Sequence, residues 1–210
     1  MTRYHAYADA ADVAIALIAE PAVAAAWREP SALEKFSVGG LAAHLARQIT
    51  RVVEDLNAPA SPNPPIPLVD HYGRSAWVGA DIDDEANASI RGRGEDDAEA
   101  GAGAVLAGAR TALAELRRRL PGEPADRLIA VPAGWSLTLD DFLLTRMLEI
   151  AVHCDDLAVS VHIGTPVLPA EVLEPVLELL GRLAVRRHGP TAVLRALSRA
   201  ERAPATIAAI

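Results

Sequence analysis

Four stretches of the chain place apolar residues at steps of three and four, the spacing that keeps one face of an α-helix dry. Residues 4–19 do so with Val13, Ala14, Leu17 and Ile18, and residues 38–56 with Val38, Leu41, Leu45, Ile49, Val52 and Val53. A third stretch runs from about Asp97 to Leu120 and is stopped by Pro121-Gly122. The fourth, 139–161, carries Phe142, Leu143, Met147, Ile150, Leu157 and Val161 and ends before Gly164-Thr165-Pro166. Ser37 and Thr138 stand where N-caps belong, with Asp141 three residues beyond Thr138 as in a capping box. Pro21 interrupts the first helix, leaving Ala22–Trp27 as a short second piece.

Between these helices the pattern changes. Pro59, Pro62, Pro64, Pro65 and Pro67 predict an extended, polyproline-like loop from Ala58 to about Ala80. The acidic, glycine-punctuated stretch Asp81–Asp97 predicts at most a short helix near Asp84–Ile90. A connection this long inside a compact domain is usually functional or disordered, and here it is expected to form one wall of a substrate pocket. The segment after Pro121-Gly122 is turn-rich, with no strand series, and two further helices are predicted at about 170–188 and 191–200. The predicted fold is all-α: a four-helix bundle with two extra C-terminal helices on its side. Residues 1–165 would form the bundle and 166–210 a short helical extension.

Composition supports helices and narrows the function. Hydrophobic residues make up 51% of the 210 but aromatics only 4%, so the core must be Ala, Leu and Val. The net charge of −8 excludes a nucleic-acid backbone as the main partner. The basic runs Arg117-Arg118-Arg119 and Arg186-Arg187 read as solvated helix ends, where cations suit the C-terminal dipole. No apolar stretch approaches the ~18–20 residues of a membrane span, and Asp9, Asp12 and Glu20 interrupt any signal-like apolar run. A single cysteine, Cys154, rules out an intrachain disulfide framework and predicts a reducing, cytoplasmic setting. A monomer or homodimer acting on small molecules is expected, with no membrane or nucleic-acid partner.

The chemistry-bearing cluster lies on the fourth helix. Glu149 and His153, four apart, share one face with Cβ atoms about 5–6 Å apart. A third ligand must come from a neighbouring helix, and His44, set among Leu41 and Leu45, is the candidate. Three protein ligands with open positions describe a catalytic rather than a structural metal site. The same spacing also describes a surface Glu–His pair and a satisfied core histidine, so spacing alone leaves both readings open. Cys154 reads as buried packing, and Trp27, Trp77 and Trp135 as packing anchors. No partner spacing is visible for His5, His71, His162 or His188.

Two segments resemble a known family. Trp27-Arg28-Glu29-Pro30-Ser31 followed by Phe36-Ser37-Val38-Gly39-Gly40-Leu41-Ala42-Ala43-His44-Leu45, and then Arg146-x-x-Glu149-x-x-x-His153-x-x-Asp156, are similar to the two motifs of the mycothiol-dependent maleylpyruvate isomerase family. The tail Leu194–Pro204 is also similar to tails of that family. The resemblance implies a DinB-like four-helix bundle with His44, Glu149 and His153 as metal ligands. Zinc is the first expectation, with Ni(II) or Fe(II) also compatible with the donor set. It implies mycothiol or a similar thiol as cosubstrate, and isomerisation or S-transfer on a small electrophile. Asp156 would hold the second ring nitrogen of His153, with a helix-surface salt bridge as its other reading. Arg146 would bind a substrate carboxylate or pair with Asp140 or Asp141. The stretch after Val167 is short for the α/β domain that follows the bundle in that isomerase, so the resemblance carries the metal and thiol chemistry further than the particular substrate. A function of another class, a non-catalytic metal-stabilised helical binding module, fits the same bundle.

Overall fold

The computed structural model describes residues 3–132 and 134–210. Helix α1 (Arg3–Ile18) turns Tyr7, Ala10, Ala14 and Leu17 inward, and its alanines let neighbouring helices approach closely. After the one-turn α2 (Pro21–Ala25), α3 (Val38–Asn57) buries Leu41, Leu45, Ile49, Val52 and Leu56. Later come α6 (Ala102–Arg119), burying Ala109, Leu113 and Leu116, and α7 (Leu139–Ser160), burying Leu143, Met147, Ile150, Cys154 and Leu157. Helices α1 and α3 each pack on both α6 and α7, so these four helices close into a bundle around one core. Both predicted caps form: the Ser37 hydroxyl accepts from the Gly40 N–H at 2.8 Å and that of Thr138 from Asp141 N–H at 3.1 Å. Each such cap contributes about 1 kcal/mol. The two basic runs fall in the last turn of α6 and in that of a later helix, Ala170–His188, as the dipole argument expects.

Three connections differ from the sequence expectation. The proline-rich segment is not wholly extended: α4 (Leu68–Arg74) forms within it, because Leu68 and Tyr72 lie one turn apart and both find burial. Helix α5 (Glu85–Ala98) is longer than predicted and lies along α3, while the third bundle helix starts at Ala102 instead of about 97. Gly101, at φ +82°, makes the turn that separates the two. Finally, a small antiparallel hairpin, β1 (Leu128–Ala130) and β2 (Ser136–Thr138), pairs Ile129 with Leu137. Its strands are too short to show alternation. The proline segment is stitched to it, since Pro65 bridges Ser136 and the Ile66 N–H donates to Ser136 O at 3.1 Å.

Helix α8 (Ala170–His188) packs on α1, α4 and α7 and adds Val172, Val176, Leu179 and Leu183 to the common core. Helix α9 (Pro190–Ser198) folds back on α8. The predicted all-α bundle with two extra C-terminal helices is the observed architecture. Among the described residues no helix is long and apolar enough to cross a membrane.

Candidate metal centre

The centre is assembled where α3 faces α7. Ser37 does more than cap α3: its O–H donates to Glu95 Oε2 at 2.7 Å and its N–H to Glu95 Oε1 at 2.8 Å, which ties α5 to the start of α3. Two turns further along α3, His44 projects from an otherwise apolar stretch. Glu149 and His153, one turn apart on α7, meet it. His44 Nε2 stands 3.7 Å and His153 Nε2 3.3 Å from the same oxygen, Glu149 Oε2. The two imidazoles meet edge to face with centroids 4.8 Å apart, and the three donor atoms all lie within 4.8 Å of one another. Nitrogen and oxygen ligands around a tetrahedral ion at ~2.0–2.1 Å stand roughly 3.4 Å apart, so this donor set fits a divalent ion with little adjustment.

The surroundings orient the three groups. His153 uses its other ring nitrogen, Nδ1, to donate to Asp156 Oδ2 at 2.9 Å, leaving Nε2 for the centre. That is the arrangement a metal-binding histidine commonly has. Burial opposes the His153 imidazolium, but hydrogen bonds to Asp156 and Glu149 outweigh it and push the pKa up to about 9. Burial also opposes the Glu149 carboxylate, yet donors on His153 and His44 hold it well below the usual carboxylate range. His44 goes the other way, its pKa lowered chiefly by burial. One imidazole thus favours the proton and the other the neutral form, as expected when two bases share a single carboxylate.

Gln48, one turn after His44, links the centre to Arg146. Its amide nitrogen lies 3.2 Å from His44 Nε2 and donates to His44 O at 2.9 Å, while its Oε1 accepts from Arg146 Nη1 at 2.6 Å. The guanidinium also donates to Thr145 Oγ1 at 3.1 Å and stacks over Phe142 at 5.2 Å. The expected alternative, pairing with Asp140 or Asp141, is overturned: Asp140 bonds Arg3 at 2.7 Å, and no ion pair engages Arg146 among the described residues. Both lie in the first turn of α7, while Arg146 reaches across to α3.

A cavity of about 490 Å³ opens onto His44, Glu149 and His153. As the sequence predicts, the long connection supplies one wall, through Ala76, Trp77, Ile82, Ile90 and Arg91. The hairpin and α4 supply another, through Val131, Trp135 and His71. Three expectations change here: Trp77 and Trp135 are cavity residues rather than only packing anchors, and His71, for which no partner was visible, bonds Trp135. Trp27 does act as an anchor, covering Gly39 and donating to Ala98 O at 3.1 Å. Gln48 was legible in principle, being four residues from His44, whereas His71 and Trp135 are 64 residues apart and only the fold joins them. Cys154 faces the core with no exposed surface, and burial pushes its thiol up to about 12. His5, His162 and His188 do not line the cavity.

No curated protein and no solved structure matches the chain. A family model does: residues 8–158, well over half the chain, match the mycothiol maleylpyruvate isomerase N-terminal domain. The match spans both motif segments and all four bundle helices apart from the ends of α1 and α7. The chain therefore belongs to the mycothiol maleylpyruvate isomerase N-terminal domain family.

Proposed function

We propose that His44, Glu149 and His153 hold a divalent metal, zinc first, and that the protein uses it with a low-molecular-weight thiol such as mycothiol to isomerise, or transfer sulfur to, a small electrophile. The observation that carries this reading is the convergence of two neutral-capable imidazole nitrogens and one carboxylate at the edge of a roomy cavity. When bound, a divalent ion in that position favours the thiolate form of a thiol and polarises a carbonyl oxygen. The chain's residues divide the remaining work. Asp156 fixes the His153 ring, Gln48 directs an amide N–H toward the centre, and Arg146, bonded among the described residues only to neutral groups, keeps its charge available for a carboxylate. In isomerisation the thiolate sulfur adds to one carbon of a conjugated double bond and a proton is taken up. Rotation about the resulting single bond and loss of the same thiolate and one proton then restore the alkene. In S-transfer the adduct is the product.

The bundle, residues 1–165, carries this chemistry, and 166–210 brace it through α8. The buried, unpaired Cys154 suits a reducing compartment, and we place the reaction in the cytoplasm. The test is elemental analysis of purified wild type, His44→Ala and His153→Ala, with circular dichroism to show that each is folded. Wild type is expected to hold about one equivalent of zinc and both variants to lose it, along with thiol-dependent turnover of maleylpyruvate or of an S-acceptor. A variant that keeps its metal removes that residue from the centre. Metal bound with neither turnover detected favours the non-catalytic, metal-stabilised module instead.

A further inference from the structure

In the cavity that the family motifs line, two residues outside those motifs form a pair whose chemistry is set by hydrogen-bond logic. Trp135 Nε1 lies 3.1 Å from His71 Nδ1. An indole N–H only donates, so His71 Nδ1 must be the acceptor. A neutral imidazole has one donor and one acceptor nitrogen, so the His71 proton is forced onto Nε2. That second nitrogen has no protein partner among the described residues, and the ring lines the cavity. The pair is braced on both sides. The Arg74 guanidinium sits 5.9 Å over the Trp135 ring, His71 and Trp135 meet at 76° with centroids 6.1 Å apart, and Ser75 donates to His71 O at 2.8 Å.

We infer that His71, locked as the Nε2–H tautomer by Trp135, is a substrate-binding residue that donates a hydrogen bond to a carbonyl or carboxylate oxygen of the electrophilic cosubstrate. This rests on the cavity being the substrate site proposed above. A fixed, uncharged N–H suits an oxygen acceptor and gives a thiolate or an apolar group little. Burial disfavours a positive charge on the His71 imidazole, Arg146 acts in the same direction, and the pKa falls to about 4. Arg146, with no ion-pair partner among the described residues, supplies the charge that an anionic oxygen needs. His71 is thus a dipolar donor at neutral pH, while Arg146 is the cation. Trp135 acts through His71 and is a positioning residue.

The first measurement is the ¹⁵N spectrum of the histidine ring nitrogens in full-length wild type, Trp135→Phe and His71→Phe at pH 7. Wild type is expected to show His71 with a protonated Nε2 and an unprotonated Nδ1, and Trp135→Phe a mixture of tautomers. A wild-type His71 protonated on Nδ1, or on both nitrogens, overturns the inference. The second uses maleate as the oxygen-bearing probe, titrated into the zinc-loaded protein. Maleate should move the His71 Nε2 resonance, and both variants should bind it about tenfold more weakly with unchanged zinc content and circular dichroism. Maleate that leaves His71 unmoved, or binds the variants as tightly as wild type, overturns the ligand assignment. A protein without turnover that still binds maleate through His71 sinks the enzyme reading and leaves His71 as the donor to a bound carboxylate oxygen.

Discussion

Removing the Asp156 carboxylate tests how far the metal centre depends on a residue that would not touch the metal. Asp156 accepts from His153 Nδ1 at 2.9 Å, and such partners typically change metal affinity 10–100-fold. At about 1.4 kcal/mol per decade that is about 1.4–2.7 kcal/mol. The two side chains are 17% and 22% exposed, so water weakens the bond and the lower limit, about tenfold, applies. A second effect has the opposite sign. Without metal, burial disfavours the His153 imidazolium, but hydrogen bonds to Asp156 and Glu149 raise its pKa to about 9. Below that pH a metal must displace a proton, so wild-type zinc affinity climbs about tenfold per pH unit from 7 toward 9. In Asp156→Ala one of the two bonds is gone, the His153 pKa falls, and the climb ends at lower pH. The variant's deficit therefore grows from pH 7 upward, is about fivefold near pH 9 and approaches its full tenfold only above that pH. Competition against a chromogenic chelator across this range measures it, with Asp156→Asn, which keeps an acceptor but loses the charge, falling between. Equal wild-type and Asp156→Ala affinities at pH 9, with His153→Ala abolishing binding, would refute the reasoning.

Three further outcomes follow from the packing and titration of particular groups. A methyl at Gly94 would stand 2.8 Å from Gly40 O, a backbone atom that cannot swing away, so Gly94→Ala should cost about 1–3 kcal/mol by forcing α5 off α3. A thermal melt reads this as a fall of roughly 2–4 °C per kcal/mol. Burial, with help from Arg146, lowers the His71 pKa from 6.5 to about 4, so the unfolded chain takes up that proton first and stability drains away as pH falls from about 6.5 toward 4. Allowing for the ring's partial exposure, wild type should lose about 1 kcal/mol more than His71→Gln between pH 7 and 5 in urea titrations. With its thiol pushed up to about 12 and no exposed surface, Cys154 should resist thiol-labelling reagent at pH 8 in the native state and react fully in denaturant.

Much of this molecule was legible one helix at a time. Helical periodicity, the caps Ser37 and Thr138, and the stops at Pro121-Gly122 and Gly164 depend on residues within a turn of one another, so the sequence carries them directly. The Glu149–His153 face is equally local. What stayed hidden is short or distant. Helix α4 and the hairpin are too brief to show a period, and exist because Leu68, Tyr72, Ile129 and Leu137 find a surface that the bundle has already made.

By itself, then, the amino-acid order determined four amphipathic helices, an Ala- and Leu-rich core, and two candidate ligand motifs on helices about a hundred residues apart. Only the tertiary structure decided that His44 faces Glu149 across 3.7 Å, that Arg146 turns to Gln48 and not to Asp140, and that His71 accepts from Trp135. The physical reason is the range of the forces involved. Helix periodicity and capping act within a turn, and each residue's neighbours there are fixed by the chain. A cavity is lined by whatever side chains packing brings within hydrogen-bond reach, and that depends on how every helix settles against the others.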